Sequence, residues 1–224
     1  MIAQVLITDY ISPLKTSDKG IDALASMEEY KVSHMPVVNN GNFLGLVSEV
    51  DIYNLNDPEE ALGNHKLSLP RVFIDLNASV YDVLKLIGEH KLTIVPVVDG
   101  NEKYLGAVTL GSLVEYLSKI FSVESPGGII VLELSQKDYM LSEIAGIVES
   151  NDAKVINVFI TSYPDSTKLE VAIKVNTIEI DSILQTFKRY NYEVKASYSE
   201  RREFFQDMGD RYDELMNYLN IGDL

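Results

Sequence analysis

The chain has 224 residues, of which 46% are hydrophobic and 24% charged, a composition that suits one large or two small folded domains and excludes extensive intrinsic disorder. Its formal net charge of −15 disfavours nucleic acid and anionic membrane surfaces as partners, because both are themselves negatively charged. The absence of cysteine excludes disulfides, thiolate nucleophiles and cysteine-ligated zinc, and we expect a cytoplasmic protein with no leader peptide and no membrane span.

An internal repeat organises the first half of the chain. Apolar residues at helical spacing predict a helix over 20–30, and the same pattern returns over 80–90. Each helix is followed by a short β-branched strand, a polar turn and a second strand, which predicts a hairpin. A shift of 60 positions aligns identical residues of the two copies: Asp22/Asp82, Leu24/Leu84, Pro36/Pro96, Val37/Val97 and Val38/Val98. One supersecondary unit therefore occurs twice.

The repeated strands resemble the motif of cystathionine-beta-synthase-type (CBS) domains. The first copy reads His34-Met-Pro-Val-Val and then Phe43-Leu-Gly-Leu-Val-Ser-Glu-Val-Asp-Ile. The second reads Val95-Pro-Val-Val and then Tyr104-Leu-Gly-Ala-Val-Thr-Leu-Gly-Ser-Leu. The resemblance covers residues 1–122, with repeat one at about 1–56 and repeat two at about 66–122. It implies a pseudo-symmetric pair with two clefts between the repeats.

Ligand contacts follow from this resemblance. CBS domains that bind adenosine compounds place a hydroxyl and, three residues later, an Asp at the strand-to-helix junction, where Ser48 and Asp51 match. Asp51 would then hold the ribose diol, and Ser48 and His34 the phosphate side of AMP, ADP, ATP or S-adenosylmethionine. A helix beginning at Ser48 is expected to turn free N–H groups toward an anion in the cleft.

Two features of this candidate site stay open on the sequence. Ser48 and Asp51 also fit a helix-capping box, in which they only satisfy backbone donors. We expect the Asp51 cleft to be walled partly by Val72, Phe73 and Ile74 of the other repeat. In repeat two, Thr109 is the remaining candidate contact; Ser112 replaces the aspartate and Ile94 the histidine, which predicts a weaker second cleft.

A second domain is predicted after a Pro-Gly hinge at residues 125–128. Over 128–199 the order is strand 128–134, helix 138–150, strands 155–162 and 168–175, helix 179–190 and strand 192–198. This βαββαβ order predicts a ferredoxin-like fold and resembles an ACT domain. Segment 135–140 lacks the Pro-Gly turn of amino-acid-binding ACT domains, which favours a packing and dimerisation module.

A C-terminal helix is predicted over 200–224, because apolar residues repeat along one side: Phe204, Met208, Tyr212, Leu215 and Leu219.

The functional prediction is a non-catalytic α/β (α+β) regulatory protein without cofactor or metal. Residues for a nucleophile, a metal site or a P-loop do not occur at a suitable spacing, which disfavours an enzyme. We expect an adenosyl ligand, a homodimer and an unknown downstream protein partner. A ligand-free dimerising scaffold and, less favoured, a nucleotide-acting enzyme are the alternatives.

Overall fold

A computed structural model describes residues 2–8, 10–67, 69–164 and 166–199. The chain divides into two compact units, Met1–Leu117 and Ser118–Leu224. The predicted helix over 200–224 lies outside the described residues. Within those residues, no helix has the length and apolar character needed to cross a lipid bilayer.

In the first unit, each repeat folds as a helix, an antiparallel hairpin and a second helix. Repeat one consists of α1 (Gly20–Tyr30), β1 (His34–Asn39), β2 (Asn42–Ser48) and α2 (Glu49–Tyr53). Repeat two consists of β3 (Ile74–Asp75), α3 (Val80–His90), β4 (Ile94–Val98), β5 (Tyr104–Thr109) and α4 (Leu110–Ile120). The helices α1 and α3 therefore span the predicted residues, and the tandem repeat is confirmed.

The register of the two hairpins determines which side chains meet at their open ends. β1 pairs with β2 so that His34 lies opposite Ser48. β4 pairs with β5 so that Ile94 lies opposite Thr109. Because a helix follows directly on β2 and on β5, each hairpin delivers its last residues to a strand–helix junction.

One hydrophobic core runs through both repeats and fixes these hairpins. Met27 of α1 and Val83 of α3 are buried in it, together with Met35, Leu46 and Val97 of the strands. The four interior residues of β1 and all five of β4 are buried, which explains their continuous apolar runs.

The second unit contains a four-stranded sheet and two helices. Its elements are β6 (Ile129–Ser135), α5 (Leu141–Glu149), β7 (Val155–Ser162), β8 (Lys168–Val175), α6 (Asp181–Arg189) and β9 (Glu193–Tyr198). The strand order is β7-β8-β6-β9 and every neighbouring pair is antiparallel. The predicted βαββαβ order and the ferredoxin-like topology are confirmed.

Helix α5 begins three residues later than the predicted 138–150. The backbone N–H of Asp138 donates to the carbonyl oxygen of Ser135, and that of Lys137 donates to the Ser135 hydroxyl. These bonds form a turn that delays the helix until Leu141.

Residues from Ser118 onward, which form the end of α4 and the segment after it, belong to the second unit and contact its sheet. The ring of Phe121 packs edge-on against Phe159 of β7, with 4.7 Å between centroids. The amide of Asn157 donates to the carbonyl oxygen of Ile120 at 3.0 Å. The ammonium of Lys174 donates to the carbonyl oxygen of Ser122, so the last carbonyls beyond α4 are satisfied by side chains of this sheet.

Candidate functional site

A cavity of about 200 Å³ lies between the two repeats. Repeat one contributes its lining residues from β1, β2 and α2: His34, Leu46, Ser48 and Asp51. Repeat two contributes the connection into β3 and the end of α3: Pro70, Val72, His90 and Leu92. The structure thus brings the three predicted residues of the first cleft together at one concave, largely apolar surface.

Of the predicted walls from repeat two, only Val72 lines this cavity. The expectation for Phe73 and Ile74 was wrong. Phe73 packs edge-on against the ring of Phe43, with 5.9 Å between centroids. Ile74 is buried in the core, where it opposes Val97 in the parallel pair of β3 and β4.

Ser48 and Asp51 form the capping box of α2. Asp51 Oδ2 accepts hydrogen bonds from the Ser48 N–H at 2.8 Å and from the Ser48 hydroxyl at 2.6 Å. The Asp51 N–H donates to Ser48 Oγ at 3.2 Å. All of these bonds to the carboxylate use Oδ2, and within the described chain none reaches Oδ1. The cap therefore leaves one carboxylate oxygen with unused acceptor capacity at the cavity.

The same box occurs at a second helix, away from the cavity. At the start of α3, Asp82 Oδ2 accepts from the Ser79 N–H at 2.9 Å and from the Ser79 hydroxyl at 2.7 Å. These hydrogen bonds hold the pKa of Asp82 below its usual range. Neither residue lines the cavity, so this box is a matched case of capping alone.

The expectation of free N–H groups at the start of α2 was wrong for Ser48, Glu49 and Asp51. The N–H groups of Ser48 and Asp51 are used by the capping box, and that of Glu49 donates to the carbonyl oxygen of Ser33 at 3.0 Å. The helix has only five residues and carries its own acidic side chains in the first turn. Its N-terminus is therefore not an anion site.

His34 is held by a hydroxyl of the other repeat. Its Nδ1 lies 3.2 Å from Thr93 Oγ1, and Thr93 Oγ1 accepts a hydrogen bond from the Ser33 N–H at 2.9 Å. A hydroxyl can donate once and accept twice, so Thr93 bonds to Nδ1 whether that nitrogen accepts the Thr93 hydrogen or donates its own. Burial lowers the pKa of His34, and the nearby Asp51 carboxylate opposes this shift only in part.

The second cleft is built differently at the corresponding positions. Thr109 is buried, and its Oγ1 lies 3.2 Å from Ser112 Oγ and accepts the Ser112 N–H at 3.0 Å. Ile94, at the position of His34, is completely buried. The N–H and hydroxyl of Thr8 both donate to the carbonyl oxygen of Ala107, so the N-terminal segment is bonded along β5.

The sequence prediction missed four lining residues, Leu46, Pro70, His90 and Leu92. The repeat carried a signal for two of them, since His90 and Leu92 end and follow the helix that precedes the other hairpin. No three His, Asp or Glu side chains in the described part of the chain converge closely enough to hold a metal ion.

A family model described as the CBS domain matches residues 5–56 and 67–119. Among curated proteins, the inosine-5'-monophosphate dehydrogenase of Helicobacter pylori is 27% identical over 90 residues, which are 40% of this chain and 19% of the enzyme. The chain thus spans about a fifth of the length of the curated relatives it matches.

Solved structures are similar to this chain over about half of its length. A CBS domain pair/ACT domain protein from Thermotoga maritima is 28% identical, with a TM-score of 0.48 over 53% of this chain and 98% of the other. CBSX2 of Arabidopsis thaliana, in complex with AMP, is 24% identical with a TM-score of 0.47 over 54% and 98%. The cytosolic domain of the magnesium channel MgtE, in complex with ATP, is 19% identical with a TM-score of 0.43 over 51% and 48%.

Proposed function

Since residues 5–56 and 67–119 form a pair of CBS domains, we propose that this chain is a non-catalytic regulatory protein that binds an adenosyl ligand in the cavity between them. The candidates are AMP, ADP, ATP and S-adenosylmethionine. One observation carries the proposal: Asp51 lines the cavity, and one of its carboxylate oxygens is not used by the helix cap.

The lining provides complementary chemistry for the two parts of a nucleoside. Leu46, Val72 and Leu92 supply apolar walls for the adenine ring. Asp51 Oδ1 accepts from the ribose diol in charge-assisted hydrogen bonds. The His34 imidazole is a further hydrogen-bonding group, and Ser48 acts by positioning the Asp51 carboxylate, because its hydroxyl hydrogen is already donated there.

Signalling follows from the shared construction of the cavity. Each repeat contributes four of the lining residues. A bound ligand therefore favours the arrangement of the two repeats in which these eight residues lie close together. The second unit, with its ferredoxin-like topology, serves in this proposal as an ACT-like module that supports a homodimer. The output passes to a separate protein or through a change of oligomeric state.

The test compares two aspartates that make the same cap. We expect Asp51→Asn and Asp82→Asn to destabilise the protein similarly, each by about 1 kcal/mol, since each weakens one capping box. A ligand at 100 times its Kd raises the stability by about 2.7 kcal/mol, which a thermal-shift screen with the four adenosyl compounds detects. Only Asp51→Asn should lose this ligand-induced shift.

The alternative functions give different outcomes. If the wild type shows no shift with any of the four compounds, Ser48 and Asp51 are a cap alone and a ligand-free scaffold remains. If the purified protein turns over ATP and Asp51→Ala abolishes the turnover, the non-catalytic proposal is wrong.

A further inference from the structure

The cavity that we propose as the adenosyl site has an unusual charge balance for a nucleotide pocket. Asp51 is its one carboxylate, and its other ionisable groups are the imidazoles of His34 and His90. The described residues that line it include no lysine and no arginine. Phosphate groups are normally bound by such fixed cations or by free backbone N–H groups.

Two basic residues flank the lining in the sequence, Arg71 and Lys91, and neither of them lines the cavity. Arg71 stands between the lining residues Pro70 and Val72, but its Nη2 donates to Glu102 Oε2 at 2.7 Å. The same nitrogen lies 3.4 Å from the carbonyl oxygen of Phe43, which does not line the cavity. Its charge is therefore already neutralised by an acidic partner.

Backbone donors do not replace the missing cations. The N–H groups of Ser48, Glu49 and Asp51 are used within the protein, and Val50, the remaining residue of this turn, does not line the cavity. Leu46, which also lines the cavity, donates its N–H to the carbonyl oxygen of Pro70 at 3.0 Å. What remains for a ligand is one acceptor oxygen of a carboxylate and the imidazole N–H groups.

From this balance we propose that the cavity selects adenosine compounds whose 5′ group is uncharged or cationic, such as the sulfonium of S-adenosylmethionine, and rejects nucleoside di- and triphosphates. The inference rests on the proposed function and narrows it. The carboxylate repels each added phosphate, and no fixed cation of the lining compensates. The net charge of −15 on the chain adds to this repulsion at low ionic strength.

The properties of His34 agree with this selection. Burial lowers its pKa, so the ring is neutral at pH 7.5 and donates a single hydrogen bond instead of supplying a positive charge. The small volume, about 200 Å³ against the roughly 300–1,000 Å³ of common ligand pockets, also suits a nucleoside better than a triphosphate.

The test is calorimetry with adenosine, S-adenosylmethionine and ATP at pH 7.5, in low salt and without divalent cations. We expect adenosine and S-adenosylmethionine to bind at least about tenfold more tightly than ATP. If ATP binds as tightly as adenosine or more tightly, the selection is overturned while the proposed function stands. If none of the three binds, the proposed function itself fails, and this inference with it.

Two variants separate charge from shape. His90 is exposed at the end of α3, so His90→Arg adds a fixed cation without a change in the core. We expect it to raise the ratio of ATP to adenosine affinity by about tenfold, whereas the uncharged His90→Gln should not raise it. An unchanged ratio in His90→Arg contradicts the electrostatic origin of the selection.

Arg71→Gln is the control for a cation that flanks the lining, and Lys91→Gln, which should also leave the ATP to adenosine ratio unchanged, is the second. Because Arg71 pairs with Glu102, its replacement should leave the ATP to adenosine ratio unchanged. A fall of this ratio by more than about threefold would show that Arg71 reaches the ligand, and the inference would then be wrong.

Discussion

At the start of α2, the Asp51 carboxylate accepts two hydrogen bonds on Oδ2, and its second oxygen, Oδ1, is not used by the cap. At the start of α4, the Ser112 hydroxyl has only one oxygen, and the cap uses it. Ser112 Oγ accepts the Thr109 N–H at 3.1 Å and donates to the Thr109 carbonyl oxygen at 3.0 Å. The two helices thus begin with the same local fold. A carboxylate can cap a helix and bind a ligand together, while a single hydroxyl is used up by the cap.

The surroundings of the two clefts differ in the same sense. His34 and His90 line the cavity, whereas the positions that correspond to them in the other repeat hold the buried Ile94 and Tyr30. Tyr30 lies against Tyr10, with 6.3 Å between ring centroids. Repetition of a fold therefore preserved the path of the backbone while the groups available to a ligand diverged.

The largest expected effect concerns two glycines at matching positions of the hairpins, Gly45 of β2 and Gly106 of β5. Gly45 has φ +157° and an added Cβ would lie 2.7 Å from the carbonyl oxygen of Leu69, which is backbone. Gly106 has φ +150°, but its added Cβ would meet the Ile7 side chain at 2.5 Å. We expect Gly45→Ala to cost about 3 kcal/mol or more, and Gly106→Ala less, because a side chain can move aside. Urea unfolding of both variants measures the loss of stability. Equal losses would contradict the distinction between a backbone neighbour at Gly45 and a side-chain neighbour at Gly106.

The next effect is on ligand affinity. Asp51→Ala should weaken adenosyl binding by at least about tenfold, since charge-assisted hydrogen bonds contribute roughly 1.5–3 kcal/mol. Ser112→Ala should leave the affinity within about twofold, and calorimetry on the wild type should show one dominant site per chain. Loss of binding in Ser112→Ala with intact binding in Asp51→Ala would assign the working site to the second cleft.

A smaller effect is expected at the contact between the repeats. Thr93→Val keeps the side-chain shape but removes the acceptor of the Ser33 N–H and the partner of His34, which should cost about 1–2 kcal/mol of stability. The control is Ser33→Ala at the matching position of repeat one, whose hydroxyl makes no hydrogen bond within the described residues. It should change stability by less than about 0.5 kcal/mol, and a loss equal to that of Thr93→Val would show that the bridge is not specific.

The smallest effect is a dependence on pH that only the first cleft has. Because burial lowers the folded-state pKa of His34, the unfolded chain binds more protons below the ordinary histidine value of about 6.5. The stability associated with neutral His34 is therefore present above this value and is lost as the pH falls through the lowered pKa. Urea unfolding at pH 7.5 and pH 5.5 should show a smaller loss in His34→Gln than in the wild type. An equal or larger loss in the variant would contradict the burial of an uncharged ring.

Much of this fold could be predicted because the same pattern of apolar residues occurs in both repeats, and two copies support an assignment that one copy would leave weak. The spans of α1 and α3 followed from one periodicity seen twice, and β7 and β8 from the alternation on either side of a Pro-containing turn. The delayed start of α5 could not be read in the same way, since the Ser135 turn competes with the helix through side-chain bonds that periodicity does not report.

The candidate site could be predicted only in part. His34 and Ser48 converge because they lie opposite each other in the hairpin register, and the capping box holds Asp51 next to Ser48. How the hydrogens of Ser48 and Glu49 are shared depends on contacts with Asp51 and Ser33, and only the folded geometry settles these. The residues from repeat two were the hardest to predict, because their contribution depends on how two repeats pack.

The hydroxyl of Thr93 makes the His34 ring a spectroscopic reporter. While Thr93 bridges Ser33 and His34, its hydroxyl favours one tautomer of the neutral ring, and the two ring nitrogens differ strongly in ¹⁵N chemical shift. Separation of the repeats would break the bridge and let both tautomers populate, so the two shifts would move toward one another. A single labelled imidazole thus reads the closure of the CBS pair without a probe attached to the protein.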